Sequence, residues 1–147
     1  MNRFKFRLQT LLDRRKSREE QLLVELGELR REEANEVERL DILCLRLNAA
    51  WRDVEDALDN NAPAEELCRL DEFAKTTCDD IEIQKLTLEG VREKVEAKRQ
   101  ELVTAMQDRK ILEVLRDKQE QEYLMVIARA EQNELDEMAS VRYARGM

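Results

Sequence analysis

Two long tracts without a helix breaker constrain this chain more than any other feature. The only proline, Pro63, lies in Asn60-Asn61-Ala62-Pro63, and no other proline interrupts the sequence on either side. Proline fits the opening turn of a helix but not its interior, and asparagine tolerates turn geometry and caps. The segment therefore reads as the stop of one helix and the start of the next. This predicts a single all-α hairpin, with a helix over 4–59, a turn at 60–63 and a helix over 63–143. The two long helices form an antiparallel coiled coil in which the C-terminal helix is longer and protrudes.

Composition agrees with a thin helical seam under a solvated surface, since 41% of residues are charged and only 4% aromatic, too few bulky groups to fill a rounded core. Regular apolar spacing argues against disorder. Steps of four and three from Leu22 give Leu22, Leu26, Leu29, Glu33, Glu36, Leu40, Leu43, Leu47, Ala50, Val54 and Ala57. From Leu67 they give Leu67, Leu70, Ala74, Thr77, Ile81, Gln84, Leu88, Val91, Val95, Lys98, Leu102 and Ala105. Heptads on both sides of one turn indicate a left-handed, antiparallel two-stranded coil.

A reversal near Asn61 sets residue i of the first helix opposite roughly residue 123 minus i of the second. Trp51 then falls beside Phe73, either as an aromatic lock or as an ordinary seam filler. Glu33 and Glu36 fall opposite Gly90, where neither helix offers a good seam residue, so local weakness is expected. Phe4 reaches only the neighbourhood of Gln119, and the second helix outruns the first. The overhang beyond about Glu120 carries a stripe of Leu124, Ala128, Leu135 and Met138, with Ile127 and Val141 beside it. A lone helix gains nothing from an unburied stripe, so something else should cover it.

Chemistry is easier to exclude than to find. With no histidine, the commonest general base and metal ligand is missing. Cys44, Cys68 and Cys78 do not form a close metal-binding pair, and with no secretion signal they suggest a reducing cytosol. Gly27, Gly90 and Gly146 stand too far apart for a phosphate loop. The expectation is a non-enzyme without cofactor or metal, and no apolar run approaches the ~20 residues that span a bilayer.

Charge is uneven. Arg3, Lys5, Arg7, Arg14, Arg15, Lys16 and Arg18 crowd the opening of a chain whose net charge is −8. Interleaved with Phe4, Phe6, Leu8, Leu11 and Leu12, this patch suits docking at an anionic membrane surface or an acidic protein groove, or is simply solvated helix-end charge. Nucleic acid is disfavoured, because one small basic cluster on an acidic chain loses most of its binding at physiological salt.

The same two ends carry a resemblance. Phe4-Lys5-Phe6-Arg7-Leu8-Gln9-Thr10-Leu11-Leu12 resembles the basic "F-x-F-R-L-x-x-L-L" opening of the flagellar FliJ family. Residues Lys110 to Arg145, with Tyr123, Glu131-Gln132-Asn133-Glu134-Leu135-Asp136-Glu137 and Arg142-Tyr143, are similar to that family's closing pattern. Together these segments cover about a third of the chain. The resemblance implies a non-enzymatic component of the bacterial flagellar type III export apparatus, cytoplasmic and peripherally associated with the membrane at the flagellar base. It further implies a stalk seated in the hexameric export ATPase, linked to the cytoplasmic domain of the export gate and binding export chaperones. Taken with the uncovered stripe, the motifs make Phe4, Phe6, Arg7, Leu8, Leu12, Tyr123, Leu124, Ile127, Leu135 and Met138 the candidate partner-binding residues. A stalk from a virulence-type secretion system and a generic structural coiled-coil dimer are the alternatives.

Overall fold

Helix α1 (Gln9–Asp59, 51 residues) and helix α2 (Ala64–Arg145, 82 residues) make up almost all of the described chain, in an all-α hairpin. The computed structural model describes residues 3–146. The reversal is a Schellman-type stop. Asn61 takes a left-handed conformation (φ 51°). The Ala62 N–H donates to Ala57 O at 2.9 Å and the Asn61 N–H to Leu58 O at 3.3 Å, which satisfies carbonyls that the ending helix leaves open. The Pro63 carbonyl then accepts from Glu66 and Leu67 at 3.1 and 3.2 Å and opens α2. Proline therefore sits just before the helix that the sequence reading begins at residue 63. Glu65 and Glu66 in the first turn and Arg142 and Arg145 in the last suit the helix dipole.

Two units are distinguished, one from Leu22 to Leu102 and one made of the residues up to Gln21 and from Val103 onward. In the Leu22–Leu102 unit, every position reached by the four-and-three count is buried or half-buried. Ala50, Ala57, Ala74 and Thr77 sit at the seam toward the turn, and such small residues let two backbones approach closely. Thr77 satisfies its hydroxyl by donating to the Phe73 carbonyl at 2.9 Å. This narrow seam explains why the aromatic lock does not form. Trp51 and Phe73 flank it, 40% and 51% exposed, because alanine-sized layers leave no room for an indole. Among the described residues no ring contact joins them.

The expected register holds to within a few residues. Glu25 Oε2 receives Lys98 Nζ at 3.0 Å, the position the register gives. Glu33 lies 3.9 Å from Arg92 Nε, and Glu36 meets Gln84. The stretch expected to be weak is thus a hydrogen-bonded polar layer. Glu36, only 7% exposed, accepts from Gln84 Nε2 on its carboxylate and from the same nitrogen on its carbonyl at 3.1 Å, and from Arg39 Nη1 at 3.0 Å. The amide fills space that two apolar side chains would otherwise occupy. Open space surrounds the position of a Cβ at Gly90, so packing does not demand glycine there.

Chemical denaturation should register both the turn and the polar layer. Asn61→Val should cost roughly 1–2 kcal/mol, because a β-branched residue is strained in the left-handed region, while Asn61→Gly should be neutral or stabilising. Equal stability of the two variants would contradict the turn geometry. Glu36→Ala removes the enclosed carboxylate that Gln84 and Arg39 bond, leaving the Gln84 amide only the carbonyl of residue 36, and should cost about 1–3 kcal/mol, whereas the Glu36→Leu, Gln84→Leu pair should be close to neutral. A double variant as unstable as the single one would contradict the polar layer.

Candidate partner-binding surfaces

The opening of the chain departs from the sequence expectation. Instead of beginning near residue 4, the first helix begins at Gln9, and residues 3–6 have no regular secondary structure. Exposure alternates residue by residue: Arg3, Lys5 and Arg7 face solvent, whereas Phe4 and Leu8 are half-buried and Phe6 is buried. A helix would put Phe4 and Leu8 on one face and turn Phe6 to the opposite one, while an irregular strand-like segment turns all three inward. The Phe4 ring packs on Tyr123 with centroids 5.6 Å apart, tilted by 44°. The Phe6 carbonyl accepts from the Gln9 N–H at 3.1 Å and leads into α1, where Leu12 is fully buried. Burying Phe6 and part of Phe4, rings of about 150–250 Å² each, outweighs one more helical turn.

Charged groups tie α1 to α2 in this unit. Arg109 Nε bonds Glu19 Oε2, and its Nη1 bonds Glu113 Oε2 at 2.7 Å. Glu113 also lies 3.9 Å from Lys16, and Arg15 lies 3.7 Å from Asp108, the position given by the register. Hydrogen bonding first to Glu19 and then to Glu113 raises the pKa of Arg109. In the Leu22–Leu102 unit, Glu25 does the same for Lys98, and the bond from Arg99, helped by Gln100, lowers the Glu96 carboxyl to about 2. Each of these shifts holds its group in the charged form. General acid–base work at neutral pH needs the opposite, a group moved toward neutrality. Glu19–Arg109 and Glu25–Lys98 fasten the two helices to each other, while Glu96–Arg99 braces α2 alone.

The candidate residues therefore divide. Phe6 and Leu12 spend their surface inside the chain, as in part do Phe4, Leu8 and Tyr123. Arg7 is exposed, Ile127 is half-buried, and Leu124, Leu135 and Met138 are 55%, 60% and 60% exposed. From residue 128 onward every described residue is exposed. The uncovered part begins after Ile127 rather than at the expected Glu120, where Glu120 and Tyr123 are still half-buried. A non-helical chain advances up to ~3.3–3.6 Å per residue against 1.5 Å in a helix, so residues 3–8 reach further along α2 than a helix would. Sequence reasoning also missed the exposed Val103, Met106, Ile111 and Val114, which flank Gln107 and Lys110 on α2. Their signal was present as apolar positions out of phase with Ala105 and Leu112.

Fold and surface together define a two-helix protein that offers apolar and charged surface for other molecules to meet. The sequence profile described as flagellar FliJ protein matches residues 4–147, and the chain belongs to that family. It is accordingly a component of the flagellar export apparatus. No curated protein and no solved structure matches the chain. Among the described residues no helix is long and apolar enough to cross a membrane.

Proposed function

We propose that this protein serves as a non-enzymatic stalk of the flagellar export machinery, with the C-terminal part of α2 seated in the ring of the hexameric export ATPase. The observation that carries this reading is the run of wholly exposed helix from residue 128, which retains Leu135 and Met138 on its surface just beyond Leu124. Residues 128–145 extend roughly 27 Å at 1.5 Å per residue, enough to enter a ring's central hole. A solvated helix of this length has no intrachain reason for large apolar groups, and a surrounding sleeve of protein supplies one.

Family membership supports the remaining parts of the proposal. The stalk links the ATPase to the cytoplasmic domain of the export gate and receives export chaperones, on the cytoplasmic face of the membrane at the flagellar base. Arg7, exposed among buried neighbours, belongs to the basic face available for such contacts. Peripheral association with the membrane then arises through the gate, because Phe6 and much of Phe4 are committed to packing and leave little aromatic surface to insert into lipid.

Replacing Leu124 and Leu135 together by serine separates this reading from a packing role. The melting temperature should stay nearly unchanged, since both side chains are mostly exposed. Affinity for the export ATPase should fall by roughly 2–4 kcal/mol, about 30- to 1000-fold, as expected when two apolar anchors leave an interface. Retained affinity in the double variant would refute the assignment of this segment. A stable self-dimer that the same substitutions abolish, with no ATPase binding in the parent chain, would favour the generic coiled-coil reading instead.

A further inference from the structure

Where the chain enters α1, Arg3, Phe4, Lys5, Phe6, Gln9 and Arg116 line a concave space of about 470 Å³. Three of the six are cations and none is an acid. The Nε of Arg116 is enclosed by protein yet has no hydrogen-bond partner. Enclosed polar nitrogens almost always find one, so the orphan beside this recess marks hydrogen-bonding capacity that the chain itself does not use. Among the described residues no carboxylate pairs with Arg3, Lys5 or Arg116, although ion pairs are frequent elsewhere in the same unit. The first turn of α1 carries no acidic residue to offset its positive end, and Asp13, one turn on, accepts from Gln9 Nε2 at 2.9 Å. Like charges held together without a counter-ion repel, so the cluster is at its most favourable when an anion fills it.

We propose that this recess is a binding site for an oxyanion, presented as an aspartate or glutamate side chain on an acidic segment of a partner protein. A guanidinium grips a carboxylate with paired hydrogen bonds, and among the described residues no carboxylate of the chain takes that place at Arg116. Lys5 and Arg3 add charge from the exposed side. A protein partner fits better than a lipid surface, because Phe6 is buried and Phe4 packs on Tyr123, which removes the rings a membrane-docking segment would insert. The site is independent of the exposed end of α2, and neither reading depends on the other.

The test titrates the full-length protein with a fluorescently labelled peptide rich in aspartate and glutamate, and in parallel with inorganic phosphate and with phosphatidylglycerol vesicles. Arg116→Gln and Arg116→Lys should each weaken peptide binding roughly tenfold or more, the lysine because it keeps the charge but loses the paired donors. Lys5→Gln, at an exposed position that cannot disturb packing, should weaken it as well. Arg14→Gln, an equal loss of charge outside the recess, should change it by less than about twofold. Melting temperatures should not change for Lys5→Gln and Arg14→Gln, both at exposed positions, and binding by the Arg116 variants is compared per folded molecule. Equal losses for Arg14→Gln and Arg116→Gln would reduce the binding to diffuse attraction and overturn the site. Absence of peptide binding would overturn it too. Phosphate that binds as tightly as the peptide, or vesicle binding that depends on Arg116, would overturn the assignment to a protein carboxylate and give the site to phosphate or lipid.

Discussion

The seam between α1 and α2 is narrow, and its narrowness decides what each helix can display. In the Leu22–Leu102 unit, alanines, a threonine and branched aliphatics fill the layers. Such layers hold two backbones close but leave no space for large side chains, which are pushed to the flanks. Trp51 and Phe73 are exposed for this reason rather than from any lack of apolar character. Specificity of register falls to polar pairs, because a seam of small residues slides at little cost. The enclosed Glu36–Gln84 contact and the Glu25–Lys98 ion pair each have one satisfactory alignment. Their placement along an otherwise apolar stripe fixes which residue of one helix meets which of the other.

Much of this was legible in the sequence. Pro63 and the two preceding asparagines located the reversal, and Asn61 adopts the left-handed conformation that asparagine tolerates best after glycine. The four-and-three count placed the inner face correctly because heptad spacing is enforced by geometry, whatever residue occupies a layer. Residue identity was less informative than position: Glu33, Glu36, Gln84 and Lys98 looked like defects by type but stand at the inner face and bond across it.

Two features were misread for identifiable reasons. Arg3-Phe4-Lys5-Phe6-Arg7-Leu8 alternates polar and apolar with a period of two, the signature of a strand-like segment, yet its place before a long helix made helical continuation the simpler assumption. That error shortened the expected reach along α2 and set the uncovered surface too early. Arg109 and Arg116 went unnoticed because the inner-face count stopped at Ala105. Continued in the same steps, it passes through Arg109, Leu112, Arg116, Gln119 and Tyr123, all half-buried. Individual partner contacts were not legible at all, since an exposed leucine on a helix looks the same whether a ring, a gate or a second copy covers it.

The chain belongs to the flagellar FliJ family, and the proposed stalk role depends on how α2 is supported along its length. Ion pairs fasten α1 to α2, aromatic packing secures the chain's opening, and α2 continues past that support with its side chains uncovered. Hydrogen exchange of the backbone amides in residues 128–145, measured with and without the export ATPase, tests this most directly. Exchange should be fast in the isolated protein, where no second element shields the helix, and should slow markedly when the ATPase is added. Strong protection in the isolated protein, or no change on adding the ATPase, would contradict a free helical end that acquires its cover from that partner.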